Sequence, residues 1–265
     1  MKIDVVNKYF MEKFPQENAS DFDNGKLGFV IGDESRTLTG ILLALDLTTE
    51  TLEEAIKLNC NYIVTHHPFL YYPTHKILLN TEKGSIVNLM MKKDINLYSM
   101  HTNLDVGEGG VNDSLCKLLG INEVSGEVAK DKFLRFGKIK PMKLKNFAKL
   151  CVEKLHVSGC KISGNEDKLI ETVGIVGGGS GSEGMILEAL HANVDCYIGG
   201  EMRLSAAQMA KYNNLNLIEL NHGIEKNVFP FIKEMLENDL RVDCPVFVSS
   251  IDTDPLHYYS VLDLE

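Results

Sequence analysis

With 265 residues the chain can bury a substantial core, and its length lies between one large domain and two small ones. Its 44% apolar and 24% charged residues are the mix of a globular protein, and no run approaches the roughly 18 apolar residues that a membrane span needs. A formal charge of −10 argues against general nucleic-acid binding, which takes a cationic surface to neutralise phosphates.

Along the chain, apolar β-branched runs alternate with helical patterns. The opening MKIDVVNKYFMEKF reads as an amphipathic helix without the apolar stretch and cleavage site of a signal peptide, so a cytoplasmic protein is expected. Strands follow at 27–32 and 40–47, then a helix in TLEEAIKLN, where Thr51 and Glu54 have capping-box spacing. A strand at 61–66 leads to a helix in KGSIVNLMMKKD, and one at 95–101 to a helix in VNDSLCKLLG that ends in glycine. LKNFAKLCVEKLH is the next helix. Strands at 172–177, 195–200 and 215–221 are then each followed by a helix, in SEGMILEALHAN, LSAAQMAKYNN and VFPFIKEMLEND, before a last strand at 245–250. This alternation predicts an α/β fold with helices on a largely parallel or mixed sheet.

Residues 126–168 carry 11 Lys and Arg against 5 Asp and Glu, which makes that stretch +6 and the rest of the chain −16. It reads as a solvated surface segment or as an anion-attracting rim. The segment 126–169 is expected to connect two α/β lobes, 1–125 and 170–265, that form one functional unit. Cys60, Cys116, Cys151, Cys160, Cys196 and Cys244 form no C-x-x-C pair and read as reduced, mostly buried residues, which argues against a zinc ribbon.

Three polar clusters share one context. His66 and His67 close NYIVTHHP, His101 and Asp105 follow a strand in HTNLD, and His222 and Glu225 follow another in NHGIE. The carboxyl edge of an open α/β sheet is where ligands bind. Imidazole with carboxylate favours zinc, iron, manganese or nickel over the all-oxygen shells of calcium or magnesium. A bend at Pro68 can splay His66 and His67 toward different ions, and Glu225 is the expected bridge in a two-metal site. Each cluster alone has a structural explanation: a capping or surface His pair, an Asx turn at Asp105, an ion pair at a helix start for His222 and Glu225. Three strand ends bearing the same residue types tip the balance toward metal. His75 and His257 read as surface residues, and His156 and His191 as cations near helix ends.

In VGIVGGGSGSEGM, Gly179, Gly181 and Gly184 match G-x-G-x-x-G, with Glu201 at the end of the next strand. The match leaves three readings open: a dinucleotide site, an anion-holding loop and a structural turn.

Taken together, TGILLALDLTTETLEEAIKLNCNYIVTHHPF, SMHTNLDVGEGGVNDSLCKLLG, FLRFGKIKPMKLKNFAKLCVEKL, TVGIVGGGSGS, CYIGGEMRLSAAQMA and LIELNHGIEK resemble the GTP cyclohydrolase 1 type 2 homologue family over nearly the whole length. The resemblance implies two similar α/β lobes with a di-metal cleft between them, a toroidal homohexamer, and two divalent ions per chain. It assigns His66 and His67 to one ion each, Asp105 to one, His222 to the other and Glu225 to both. The chain departs from many members in spacing its late His and Glu three rather than four apart, and in carrying Ser205 where they have a later His.

Three functions follow in order of preference. The first is a metal-dependent hydrolase of a small, nucleotide-like substrate, with His101 as proton shuttle. The second is a non-catalytic metal-binding scaffold. The third is a nucleotide-cofactor oxidoreductase that uses the glycine loop.

Overall fold

The computed structural model describes residues 1–256, and His257 lies outside them. In chain order, α1 (Ile3–Lys13) precedes β1 (Gly28–Ile31), β2 (Ile41–Ala44), α2 (Thr49–Lys57), β3 (Tyr62–Thr65), α3 (Glu82–Lys92), β4 (Asn96–Ser99) and the short α4 (Thr102–Val106). Next come α5 (Val111–Leu119), β5 (Asn122–Ser125), β6 (Arg135–Lys143), α6 (Leu144–Leu155) and β7 (Lys161–Ser163). They are followed by β8 (Leu169–Val176), α7 (Glu183–His191), β9 (Cys196–Gly199), α8 (Leu204–Tyr212) and β10 (Asn216–Glu219). α9 (Phe229–Asn238) and β11 (Val246–Val248) complete the described chain.

Two compact units result. The first comprises 1–108, 129–131 and 228–253, and the second 109–128, 132–227 and, of the described residues, 254–256. The first holds a five-stranded sheet in the order β1-β4-β3-β2-β11, with β11, β2, β3 and β4 parallel and β1 antiparallel on the edge. The second holds a six-stranded sheet in the order β5-β6-β8-β9-β10-β7, in which β8, β9 and β10 are parallel. The central parallel strands β2, β3, β4 and β9 are buried at every position, as strands covered on both faces must be, and hence read as continuous apolar runs. Leu42, Ile63 and Leu97 pack with Leu52, Ile86 and Met90 in the first core. Val176, Tyr197 and Leu217 pack with Ile186, Ala206 and Ala210 in the second.

The two units repeat one plan. In each, a helix (α1, α6) leads to an antiparallel edge strand (β1, β7), then to three parallel strands joined by helices. Ile3 N donates to Arg36 O at 3.0 Å and Asp4 N to Glu34 O at 3.0 Å. Leu144 N donates to Lys168 O at 2.9 Å and Lys145 N to Glu166 O at 3.0 Å. The registers Tyr62↔Asn96 and Cys196↔Asn216 match as well. After each edge strand a glycine with positive φ, Gly32 at 121° and Gly164 at 127°, backs onto an asparagine side chain, Asn96 or Asn216, with no room for a Cβ. The asparagine Oδ1 then accepts the next backbone N–H, from Asp33 at 2.7 Å and from Asn165 at 3.3 Å.

The structure departs from the sequence expectation in three places. The basic stretch 126–168 is not only a connection, because β6, α6 and β7 build the second sheet. β6 alternates a few buried residues with solvated lysines, so it shows no apolar run to read. β11, expected in the second lobe, pairs with β2 in the first unit. The capping box of α2 is formed by Thr48 and Thr51, which exchange side chain-to-backbone bonds of 3.2 and 2.7 Å, rather than by Thr51 and Glu54.

Candidate metal centre

In the first unit, His66 and His67 prolong the β3 ladder past its end, as their N–H groups donate to Ala44 O at 3.3 Å and Leu45 O at 3.0 Å. The Thr65 hydroxyl, 2.9 Å from Ser99 Oγ, donates to His67 O at 3.0 Å, which ties this corner to β4. His66 is fully buried, and its ring centroid lies 5.0 Å from that of His67. His101, just past β4, brings a third ring 5.2 Å from His66 and 5.8 Å from His67. The three imidazoles offer one nitrogen each within 4.8 Å of one another, a spacing that fits a metal ion. The single helical turn of α4 sets Asp105 N on His101 O at 3.0 Å, and buried Asp105 places Oδ1 3.5 Å from His66 Nε2.

Two carboxylates stand behind these rings. Asp46, after β2, lies 2.7 Å from His67 Nδ1 and accepts the Thr253 hydroxyl at 2.5 Å. Asp23, in the turn Asp21–Asp23, lies 2.9 and 3.0 Å from His101 Nδ1 and accepts from Thr102 N and Oγ1. Burial by itself raises both carboxyls. The hydrogen bond and charge of His67 outweigh it for Asp46, the hydrogen bond and charge of His101 with the hydrogen bonds of Thr102 outweigh it for Asp23, and both carboxyls are held below the usual range. An Nδ1–H held by a carboxylate leaves the lone pair on Nε2, the arrangement that orients metal-binding imidazoles.

In the second unit, His222 and Glu225 fall in the 3₁₀ turn His222–Val228 that follows β10. Three residues complete a turn of such a helix, so this turn stacks side chains three apart. His222 Nε2 lies 3.3 Å from Glu225 Oε2, and its Nδ1 lies 3.4 Å from Glu201 Oε2. Glu225 is buried, whereas Glu201 is exposed. The glycine loop lies against this pair. At Gly178, whose φ is 60°, a Cβ would overlap the Glu225 carboxylate and crowd the His222 ring, and Gly177 N donates to Asn112 Oδ1 at 2.8 Å. The N-terminus of α7 is capped by its own Ser182, whose Oγ accepts from Met185 N at 3.2 Å.

His66, His67, His101 and Asp105 thus come together in the first unit, and His222 with Glu225 in the second. His75, His156 and His191 are exposed and apart from these groups, His156 as the C-cap of α6 and His191 as the last residue of α7. Sequence reasoning passed over Asp46 and Asp23. Asp46 follows a strand just as the named residues do and was open to the same rule. Asp23 follows no strand, and only tertiary folding brings it to His101.

Two α/β repeats with imidazoles and carboxylates at the carboxyl ends of their strands define an α/β protein with a candidate metal site. The chain belongs to the Duf34/NIF3 (NGG1p interacting factor 3) family, whose model matches residues 1–255. It is 32% identical to a GTP cyclohydrolase 1 type 2 homolog of Clostridium acetobutylicum, over 90% of this chain and 91% of that one. It is 30% identical to the protein of the same name in Clostridium perfringens, over 97% of this chain and 100% of that one. Among solved structures, a hypothetical protein of Staphylococcus aureus superposes with a TM-score of 0.90 at 27% identity, covering 98% of this chain and 99% of that one. A Bacillus cereus protein related to NIF3 superposes with a TM-score of 0.87 at 21% identity, covering 98% and 100%, a likeness of fold. Among the described residues no helix is long and apolar enough to cross a membrane.

Proposed function

We propose that this chain is a cytoplasmic, metal-dependent hydrolase of a nucleotide-like small molecule, with His66, His67, Asp105, His222 and Glu225 as ligands of two divalent ions. The observation that carries this reading is that His66, His67 and Asp105 are drawn together past β3 and β4, with His67 held at Nδ1 by the Asp46 carboxylate. Imidazole and carboxylate donors suit zinc, iron, manganese or nickel. A bound pair of such ions supplies a water acidified toward neutrality and a Lewis acid for the atom under attack. Buried His66 and Asp105 keep bulk water from one side of the centre. His101, fixed through Nδ1 by Asp23, is oriented to take up and return a proton at Nε2. The relatives' name makes GTP the first substrate to test, by hydrolytic opening of its imidazole ring. Assembly as a toroidal homohexamer belongs to the same proposal and is checked by light scattering.

The test is metal analysis of protein purified without added ions, wild type against Glu225→Ala, together with GTP turnover by wild type and His67→Ala. Two ions per chain that fall to one or none in Glu225→Ala, with turnover lost in His67→Ala, support the reading. Absence of metal from wild type refutes it. Metal binding without turnover on nucleotides, phosphoesters or amides favours the non-catalytic scaffold instead.

A further inference from the structure

The repeat exposes a difference at the opposite end of the second sheet. Behind the amino-terminal ends of its parallel strands lies a cavity of about 580 Å³, lined by Ser163, Asn165, Lys168, Lys211, Asn214 and Asn216 among others. That volume is in the range of small-molecule sites. Asn216 opens β10 and His222 lies beyond its far end, so a strand of four residues, about 13 Å, separates this cavity from His222 and Glu225.

The same position in the first unit carries paired charges. There Arg36 lies 3.2 Å from Asp94 and 3.5 Å from Asp33. The register of the repeat makes Lys168 the counterpart of Arg36, Asn165 of Asp33 and Asn214 of Asp94. Both acids have become neutral amides, and Lys211 stands where α3 has Met91. The nearest acid to Lys168 is Asp195, whose Oδ1 lies at a loose 3.9 Å, while its Oδ2 accepts from Glu171 N, Thr172 N and Thr172 Oγ1. No carboxylate among the described residues forms an ion pair with Lys211. Asn165 Oδ1 accepts from Asp167 N at 3.1 Å, which leaves its NH₂ as a donor.

We infer that this cavity is an anion site for a phosphate-bearing small molecule, recognised by the Lys168 and Lys211 ammonium groups and the Asn165 amide. Two point charges with neutral donors and no acid in the described lining suit phosphate, which carries more charge than a carboxylate and accepts hydrogen bonds on every face. The site is separate from the candidate metal centre and stands or falls independently of the proposed hydrolase.

The test uses the full chain stripped of metal with chelator, so that bound ions contribute nothing, and inorganic pyrophosphate as probe. Calorimetry is expected to show saturable binding that weakens with added salt. Acylation followed by mass spectrometry is expected to show pyrophosphate protecting Lys168 and Lys211 and leaving Lys92 and Lys93 unprotected. Loss of a charge-assisted bond is worth about tenfold or more in affinity, so Lys168→Gln and Lys211→Gln should each weaken binding by that factor. The double variant Asn165→Asp, Asn214→Asp, which restores the acids of the first unit, should abolish it. All four positions are outside the core, and circular dichroism checks that each variant is folded. Absence of binding heat, equal acylation of all four lysines, or affinity unchanged in the lysine variants overturns the assignment.

Discussion

Asp46 Oδ1 stands 2.7 Å from His67 Nδ1, and on its other oxygen Asp46 accepts the Thr253 hydroxyl at 2.5 Å. The carboxylate therefore fixes both the tautomer and the angle of an imidazole expected to bind metal. Outer carboxylates of this kind are typically worth ten- to a hundredfold in metal affinity. Asp46→Asn keeps the shape and loses the charge, and it should weaken metal binding by roughly that factor, measured by competition with a chromophoric chelator. A fold-only role for Asp46 predicts the opposite pattern, a lowered melting temperature with unchanged affinity.

Gly178 and Gly179 separate two readings of the glycine loop. At Gly178 the left-handed backbone alone costs a non-glycine residue about 1–2 kcal/mol, and a Cβ would push into Glu225. At Gly179 the nearest atom to a Cβ is His222 Cε1 at 3.9 Å, an ordinary contact. Gly178→Ala should thus lower metal stoichiometry and melting temperature, while Gly179→Ala stays close to wild type in both. A dinucleotide fingerprint begins at Gly179, so that reading expects Gly179→Ala to be the damaging change, with loss of NAD binding.

Asn96 is the hub of the first unit's edge. Its Oδ1 accepts Asp33 N at 2.7 Å, and its Nδ2 donates to Asn61 O at 2.9 Å and Asp94 O at 3.1 Å. Buried groups that lose partners cost about 1–3 kcal/mol each. Asn96→Ala should therefore destabilise the chain by about 2–3 kcal/mol in urea unfolding, with metal stoichiometry unchanged, because the residue sits at the far end of β4 from His101. A loss under about 0.5 kcal/mol, the range of ordinary surface substitutions, counts against the hub.

How much of this was legible in the sequence depended on burial. β2, β3, β4, β9 and β10 sit where both sheet faces are covered, so their apolar runs stood out, and with them the His and carboxylate followers of β3, β4 and β10, though not Asp46 after β2. β5 is exposed throughout and β6 is mostly solvated, so neither had a period to detect. That β11 joins β2 is a matter of chain routing, which local pattern does not encode. The three-residue step from His222 to Glu225 stacks the two side chains because the turn is 3₁₀, which the local sequence does not announce. Asp23 meets His101 across 78 residues of chain, a pairing that no local spacing announces.

Asp195 links stability to pH. Burial by itself raises its carboxyl, but the backbone N–H groups of Glu171 and Thr172, the Thr172 hydroxyl and the charge of Lys168 together bring it below the usual value. A carboxyl lowered in the folded state stabilises the fold above the ordinary carboxylate range, and the contribution fades as pH falls through the folded value. Asn at this position can still accept these bonds without the charge. Asp195→Asn should thus be less stable than wild type at pH 7, and because solvent screens this partly exposed group, by only about 1 kcal/mol. The gap should narrow as urea unfolding is repeated from pH 5 down to pH 3. A gap of the same size at both ends of that range would assign the effect to shape instead of charge.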